Sequence, residues 1–298
     1  MSNQKKATVF VLLGQSNAVG HGIPMAEKDI IKVPLKNVFG LTRSDNQSYD
    51  KDKLYWSGYT SFGMNLAEEQ DNTYSLANCL AKRWQDRIDS GDRDLPDLYI
   101  IQIAIGAQGI TRSYMWYPER DKKLIPGKLG TCDISLYPFT MHILSLLDKS
   151  FKSIGKDYEI MGIHWRGGEE DVSQNREMLC NELDGLYDRM IDEFNSLFSY
   201  PPIIFHRLCC DGRMNNLDHT GKYLDNMNYI NNVFEKAARK YTNVSVFDIR
   251  RCPLYISDKS ENGIFLQDCV HYKPEVNFWA AETVLQNYHK TISIVRDK

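Results

Sequence analysis

Five nearly continuous apolar runs, separated by longer stretches with a helical period, are the strongest constraint on the fold of this 298-residue sequence. The runs are rich in β-branched residues and do not alternate between apolar and polar positions. Strands of this kind are typical of a parallel sheet that is covered on both faces. The predicted strands are Ala7–Leu13, Leu98–Ile105, Tyr158–Trp165, Pro202–Leu208 and Val244–Ile249.

Between the runs, apolar residues recur every three to four positions, which predicts amphipathic helices. Leu76, Leu80, Trp84 and Ile88, for example, mark one face of a helix. The segments with this period are 74–89, 138–154, 173–198, 222–240 and a last helix that begins at Pro274. Alternating strands and helices predict an α/β fold, here a three-layer α/β/α sandwich around a five-stranded parallel sheet.

Two stretches, about 21–73 and 107–135, break the alternation and are rich in Gly, Pro, aromatic and charged residues. Both follow the carboxyl end of a predicted strand, where α/β sheets form their sites. Loops this long in a compact domain are usually functional or disordered, so we expect them to wall a pocket. No low-complexity linker or internal repeat divides the chain, and residues 1–298 are predicted to form a single domain.

Composition excludes several classes of function. The net charge is −3, and no long basic or acidic block points to nucleic acid or to an anionic membrane. No run of about 18 apolar residues predicts a membrane span. The 7 cysteines have no regular spacing. The apolar run after Lys6 is short for a secretion signal, and no A-x-A-like cleavage site follows it. These features predict a cytoplasmic protein with reduced thiols.

Candidate catalytic residues lie near the two ends of the chain. Ser16 follows the first strand in "GQSN", and Asp268 precedes His271 by three residues just before the last helix. A serine hydroxyl attacks only when a base takes its proton, and the base is usually a histidine oriented by a carboxylate. Taken singly, Ser16 is more typical of a turn former or helix cap, and the Asp-x-x-His pattern of a cap beside a surface histidine. Their joint occurrence around a parallel-sheet pattern favours a catalytic triad.

These motifs resemble the SGNH hydrolase superfamily, in particular its carbohydrate-esterase branch of sialate O-acetylesterases and acetylxylan esterases. Gly14-Gln15-Ser16-Asn17 and Asp268-x-x-His271 resemble the first and last motifs of that branch. Between them, "AIGAQGITRSYMW" (104–116) resembles its Gly-Gly-Thr block and "IHWRGGEED" (163–171) its Trp-x-Gln-Gly-Glu-x-Asp block. The resemblance spans residues 9 to about 285 and implies the flavodoxin-like fold of SGNH hydrolases.

The resemblance also implies an oxyanion hole, built from the Ser16 amide, an amide of Gly106 or Ala107 and a side-chain amide of the third block. This chain departs from the family there, because Gly167 stands where the family has Gln. Loss of one such donor lowers the rate by about 10²–10³. The alternatives are a replacement donor from Arg166 or Gln108, a donor supplied by the substrate, or a slow enzyme.

The third block raises two further hypotheses. Glu169 and Asp171 match the family block, and Glu169 is either a second carboxylate that orients His271 or a structural residue that ties its loop. Together with Asp268, His271 and His164, these residues could form a metal cluster, but zinc sites usually have tighter His spacing. His164 lies in a strand pattern typical of a buried histidine, so no metal or other cofactor is predicted.

The resulting prediction is a serine esterase that removes O-acetyl groups from a carbohydrate through an acetyl-enzyme. Predicted substrate-binding residues are Gln15, Asn17, Trp116 and Trp165, and the aromatic residues of the long loops could stack on sugar rings or simply anchor the loops. The alternatives are a weakly active or non-catalytic carbohydrate-binding protein and an esterase or thioesterase for lipid-like acyl groups. The sequence names neither the sugar nor the oligomeric state.

Overall fold

A computed structural model describes residues 6–46, 52–119, 135–217 and 220–296. Within them, one sheet of seven strands has the order β3-β2-β4-β1-β5-β6-β7. The strands are β1 (Ala7–Gly14), β2 (Val38–Leu41), β3 (Trp56–Gly58), β4 (Leu98–Ala104), β5 (Tyr158–Arg166), β6 (Ile203–His206) and β7 (Val244–Phe247). Every neighbouring pair is parallel except β2 and β3, which are antiparallel.

The predicted α/β class is confirmed, whereas the prediction of five strands is wrong. The two additional strands, β2 and β3, lie inside the stretch 21–73 that was expected to be loop. β2 has only four residues and β3 only three, too few to show a period in the sequence. They extend the sheet beyond β4, where Val38 pairs with Leu98.

The helices within the described residues are α1 (Ser16–Val19), α2 (Arg43–Asn46), α3 (Leu76–Asp89), α4 (Leu136–Ser145), α5 (Leu147–Ser153), α6 (Arg176–Phe198), α7 (Gly212–Leu217), α8 (Lys222–Lys240) and α9 (Pro274–Arg296). The longer ones follow the predicted segments closely, whereas the short helices α1, α2 and α7 were not predicted. The segment 138–154, predicted as one helix, is two helices, because the amide of Leu146 bonds to Ile143 and Leu144 in a tightened turn. None of the helices within the described residues is long and apolar enough to span a membrane.

Successive residues of the central strand face opposite layers of the fold. Val9, Val11 and Leu13 of β1 pack with α4, α5, α6 and α8, whereas Phe10 and Leu12 pack with α3 and α9. Both faces of β1 are therefore buried in apolar cores, which is why its sequence is apolar at nearly every position. The carboxyl ends of β4, β1 and β5 lie side by side at one edge, and the predicted site residues follow them.

Candidate active site

Ser16 is placed by a sharp turn at the end of β1. Gly14 has a φ of 141°, and a Cβ there would lie 2.0 Å from the backbone oxygen of Arg166, so only glycine fits. The Gln15 amide donates to that same oxygen at 3.1 Å, and Ser16 then begins the one-turn helix α1. Ser16 therefore lies at the carboxyl edge of the sheet, beside the end of β5.

His271 is held by Asp268 in a compact turn before α9. Asp268 Oδ2 lies 2.8 Å from His271 Nδ1, while Asp268 Oδ1 accepts the backbone amides of Val270 and His271, each at 3.0 Å. Burial acts to raise the pKa of Asp268, but the hydrogen bonds from these amides and from the imidazole outweigh it and lower the pKa below its usual value. A carboxylate of this kind stays ionised and fixes the orientation of the imidazole.

Asn17 connects the serine turn to the histidine turn. Its Nδ2 donates to the backbone oxygen of Val270 at 3.1 Å, and its Oδ1 accepts the amide of Tyr272 at 3.2 Å. The same Nδ2 donates to Glu169 Oε1 at 2.8 Å. One amide side chain, directly after Ser16, therefore brings together the His271 turn and the third motif. The sequence expectation that Asn17 binds substrate is not supported by these contacts, because the donors and the acceptor of its side chain are committed to the protein.

Within the described part of the chain, Ser16 Oγ makes no hydrogen bond to the His271 ring. Nucleophile and base are often farther apart in an unliganded site and approach each other when substrate binds. Glu169 bonds to Asn17 rather than to His271, and its Oε2 is buried without a partner among the described residues. In this geometry, Asp268 is the carboxylate that contacts the imidazole.

The second motif block follows β4 and lies on the other side of Ser16. The amide of Gly106 donates to Glu68 Oε2 at 2.7 Å, whereas Ala107 has a left-handed φ of 55°. Within the described residues, neither the Ala107 amide nor the Ser16 amide donates a hydrogen bond to the protein. These two amides are available to an oxyanion, and the Gly106 amide is engaged elsewhere.

Both predicted replacement donors contact other parts of the protein. Arg166 is 1% exposed; its Nη1 donates to Asn277 Oδ1 at 2.6 Å and its guanidinium stacks over Tyr272 at 4.6 Å. Its Nε and Nη2 are buried without a partner among the described residues, and its backbone oxygen accepts the Gln15 amide next to Ser16. Gln108 uses its side-chain oxygen to accept the amide of Met115 at 3.0 Å, a contact that does not engage its side-chain nitrogen.

The two tryptophans predicted to bind substrate are buried instead. Trp116 and Trp165 are each 1% exposed, and their rings meet edge to face with centroids 5.0 Å apart. Trp116 Nε1 donates to the backbone oxygen of Gly14 at 3.0 Å. Trp116 therefore supports the turn before Ser16, and the burial of both indoles does not support the prediction that they bind substrate. Gln15 also has a structural contact, because its Oε1 accepts the amide of Glu170 at 3.2 Å.

The third block is anchored by Asp171, which is fully buried. It accepts the amides of Ile110 and Thr111 and the Thr111 hydroxyl, at 2.8 to 3.2 Å. Burial raises the pKa of Asp171 to about 6, although these donors favour the ionised form. Asp171 therefore joins the second block to the third and stands apart from the His271 turn.

His164, considered above as a metal ligand, points into the core. Its Nδ1 lies 2.9 Å from Nε2 of His206, and both imidazoles are buried. Burial lowers the pKa of His164 to about 3 and that of His206 well below its usual value. Among the described residues, no group of three or more His, Cys, Asp or Glu side chains is arranged to hold a metal ion.

The sequence analysis missed two residues of this site, His21 and Glu68. His21 Nε2 lies 2.7 Å from Glu68 Oε1, and the His21 ring is 5.6 Å from the His271 ring, edge to face. His21 follows the serine motif by only five residues, which could have drawn attention to it. Glu68 lies deep in the stretch 21–73 without a local pattern that marks it.

Comparisons with known proteins show similarity of fold. No family model matches the sequence. No curated protein sequence matches it either. A solved protein from Arabidopsis thaliana is 16% identical with a TM-score of 0.57, covering 96% of this chain and 99% of that chain.

Two further solved structures match over nearly their whole length. NanS is 14% identical with a TM-score of 0.56, covering 97% of this chain and 100% of that chain. Est24, a carbohydrate acetylesterase from Sinorhizobium meliloti, is 10% identical with a TM-score of 0.45, covering 96% of this chain and 100% of that chain. The chain therefore has the overall fold of the Arabidopsis protein and of NanS.

Proposed function

We propose that this protein is a serine esterase of the SGNH type that removes O-acetyl groups from a carbohydrate. The observation that carries the proposal is the Asp268–His271 pair, held by Asn17 in the turn that adjoins Ser16. A carboxylate, an imidazole and a hydroxyl at the carboxyl edge of a parallel sheet form the machinery of acyl transfer. The fold shared with NanS and the four motifs in SGNH order agree with this assignment.

In the proposed reaction, Ser16 Oγ attacks the acetyl carbonyl while His271 takes the hydroxyl proton. The amides of Ser16 and Ala107 donate to the tetrahedral oxyanion. The intermediate collapses to the acetyl-enzyme, the C–O bond to the sugar breaks, and His271 returns the proton to the sugar oxygen. Water, deprotonated by His271, then attacks the acetyl-enzyme and releases acetate and free Ser16.

The sugar would lie against the long loops that surround this edge. Among the aromatic residues of the long loops, Tyr114 and Tyr117 are half-buried, and Tyr114 is oriented by a hydrogen bond from Gln174 to its hydroxyl at 2.6 Å. An amphipathic ring of this kind can stack on a sugar face. We further propose that the protein is cytoplasmic and acts on a small acetylated saccharide.

The test is hydrolysis of p-nitrophenyl acetate, butyrate and octanoate, with Ser16→Ala as the control. Turnover that prefers acetate and is lost in Ser16→Ala would support an acetylesterase, and release of acetate from acetylated sugars would then define the substrate. A preference for octanoate would support the lipid-type alternative. Equal rates in the wild type and in Ser16→Ala would contradict the esterase.

One observation favours a second candidate, a carbohydrate-binding protein with little activity. Gly167 has no side-chain donor, and a Cβ at this position would lie 3.1 Å from the Trp165 ring and 3.5 Å from the Cα of Gly14. The space that a glutamine would need is thus already closely packed. If Ser16-dependent turnover is absent while acetylated sugars bind in calorimetry, this candidate replaces the esterase.

A further inference from the structure

A second carboxylate–imidazole pair, Glu68–His21, lies beside Asp268–His271. Glu68 Oε1 is 2.7 Å from His21 Nε2, and the Glu68 side chain is only 8% exposed. The His21 ring is 21% exposed and meets the His271 ring at a centroid distance of 5.6 Å. A carboxylate this deeply buried needs hydrogen-bond partners. His21 is one partner of Glu68, and the other is a backbone amide of the turn after β4.

The other oxygen of Glu68 holds the turn that follows β4. Glu68 Oε2 accepts the amide of Gly106 at 2.7 Å. The next residue, Ala107, adopts a left-handed φ of 55°. A non-glycine residue is strained in this region and persists only where its surroundings impose the conformation.

His21 fixes the same turn by packing. A Cβ built on Gly106 would lie 2.5 Å from Cε1 of the His21 ring, so the ring rests directly against the glycine backbone. The backbone amide of His21 donates to the Ser16 oxygen at 3.0 Å, which ties His21 to the helix that carries the nucleophile. Gly106 is therefore held by the hydrogen bond that its amide donates to Glu68 and by van der Waals contact with His21.

Glu68 is itself anchored to the sheet. Arg43 Nη1 donates to the backbone oxygens of Glu68 and Asn65, at 2.9 and 3.1 Å. The Asn65 side chain in turn bonds to both the amide and the oxygen of Ala104, the last residue of β4. The carboxylate is thus held rigidly relative to the strand whose end it caps.

We propose that Glu68, together with His21, is a positioning residue that directs the Ala107 amide to the oxyanion. The inference rests on the proposed esterase function. Because Glu68 draws the Gly106 amide away from the site, the hole consists of the Ser16 and Ala107 amides. With no side-chain donor at Gly167, the stabilisation of the oxyanion depends strongly on the geometry of these two amides.

The first test compares Glu68→Ala and Glu68→Gln in ester hydrolysis, with concentrations set by active-site titration. Glu68→Ala should lower kcat about 10- to 100-fold and change KM less than about threefold, because oxyanion donors act on the transition state. The Ki of a boronic acid that forms a tetrahedral adduct on Ser16 should rise in parallel. Glu68→Gln should recover most of kcat, since its amide oxygen can accept from Gly106 while its amide nitrogen donates to His21.

A matched control is Asp97→Ala, which removes a carboxylate bonded to Asn37 and Lys156 at the opposite end of β4. It should leave kcat and the boronic acid Ki unchanged. A wild-type kcat per titrated site in Glu68→Ala would overturn the inference, and so would an equal loss of kcat in Asp97→Ala.

A second measurement does not depend on activity. The Gly106 amide proton, bonded to a carboxylate, should resonate downfield and exchange slowly in NMR spectra of the full chain. Both signatures should disappear in Glu68→Ala and persist in Asp97→Ala. An unchanged Gly106 signal in Glu68→Ala would overturn the inference. Absence of Ser16-dependent hydrolysis in the wild type would instead overturn the proposed esterase function.

Discussion

Asn17 brackets His271 through the backbone on both sides of the imidazole. Its Nδ2 donates to the oxygen of Val270 at 3.1 Å, and its Oδ1 accepts the amide of Tyr272 at 3.2 Å. The residue directly after the proposed nucleophile thereby sets the place of the proposed base, from 254 positions away in the sequence.

Removal of this bracket should impair catalysis and stability together. Asn17→Ala deletes three hydrogen bonds, to Val270, Tyr272 and Glu169, each worth about 0.5–1.5 kcal/mol. We expect the free energy of unfolding in urea to fall by about 1.5–4.5 kcal/mol and kcat to fall about 10- to 100-fold. Asn17→Asp should be at least as damaging, because its carboxylate would face Glu169 and the Val270 oxygen. Wild-type kcat in Asn17→Ala would show that the bracket does not position His271.

The contacts of the two acidic residues predict unequal effects on turnover. Asp268→Asn should lower kcat about 10²–10⁴-fold, because the amide no longer fixes the His271 tautomer or stabilises the imidazolium. Glu169→Gln keeps an oxygen that can accept from Asn17, and we expect a loss of less than about tenfold. Steady-state kinetics of the two variants, with the rate of Ser16→Ala subtracted as the baseline, shows which carboxylate orients His271. A larger loss in Glu169→Gln would make Glu169 the orienting carboxylate.

Substitution at Gly167 separates the missing donor from the space it needs. The added Cβ of either Gly167→Ala or Gly167→Gln would lie 3.1 Å from the Trp165 ring, so both should lower the free energy of unfolding by about 1–3 kcal/mol. If the glutamine amide reaches the oxyanion, Gly167→Gln should turn over acetate esters about tenfold faster than Gly167→Ala. Equal kcat values would show that the amide contributes nothing at this position.

The buried imidazoles of His164 and His206 predict a loss of stability in acid. Burial lowers the pKa values of both imidazoles, that of His164 to about 3. A histidine in the unfolded chain has a pKa of about 6.5. Below that pH the unfolded state binds more protons, so the contribution of the pair is present above it and is lost as the pH falls. The free energy of unfolding should drop by about 1.4 kcal/mol per pH unit for each imidazole.

His206→Phe is the matched variant for this prediction. The His206 ring already stacks on Phe247, with centroids 4.7 Å apart and planes within 19°. Asp171 opposes the trend, because a raised pKa contributes stability at low pH that is lost as the pH rises through about 6. This contribution is common to both proteins and cancels in the comparison. The free energy of unfolding, measured in urea across the acid range, should change less steeply with pH in His206→Phe, by the equivalent of one proton. Identical pH dependence in the two proteins would contradict the low pKa of His206.

The sequence by itself determined the elements whose signal is local. Each strand of the core is short and apolar because both of its faces are covered, and each long helix repeats its apolar positions with the helical period. Five strands, their parallel direction and the approximate bounds of the long helices followed from these patterns. Asp268 and His271 could be paired because three residues separate them, within the reach of a single turn.

Tertiary structure decided everything that depends on which distant backbone atoms meet. The strands β2 and β3 form because the sheet offers them an edge beside β4. Trp165 is buried against Trp116, and the Arg166 side chain bonds to Asn277 in the last helix. The proposal of Ala107 rather than Gly106 as oxyanion donor rests on Glu68, whose carboxylate lies in another loop and accepts the Gly106 amide. Hydrogen bonds of this kind join residues far apart in the chain, and the local sequence pattern around each residue does not indicate them.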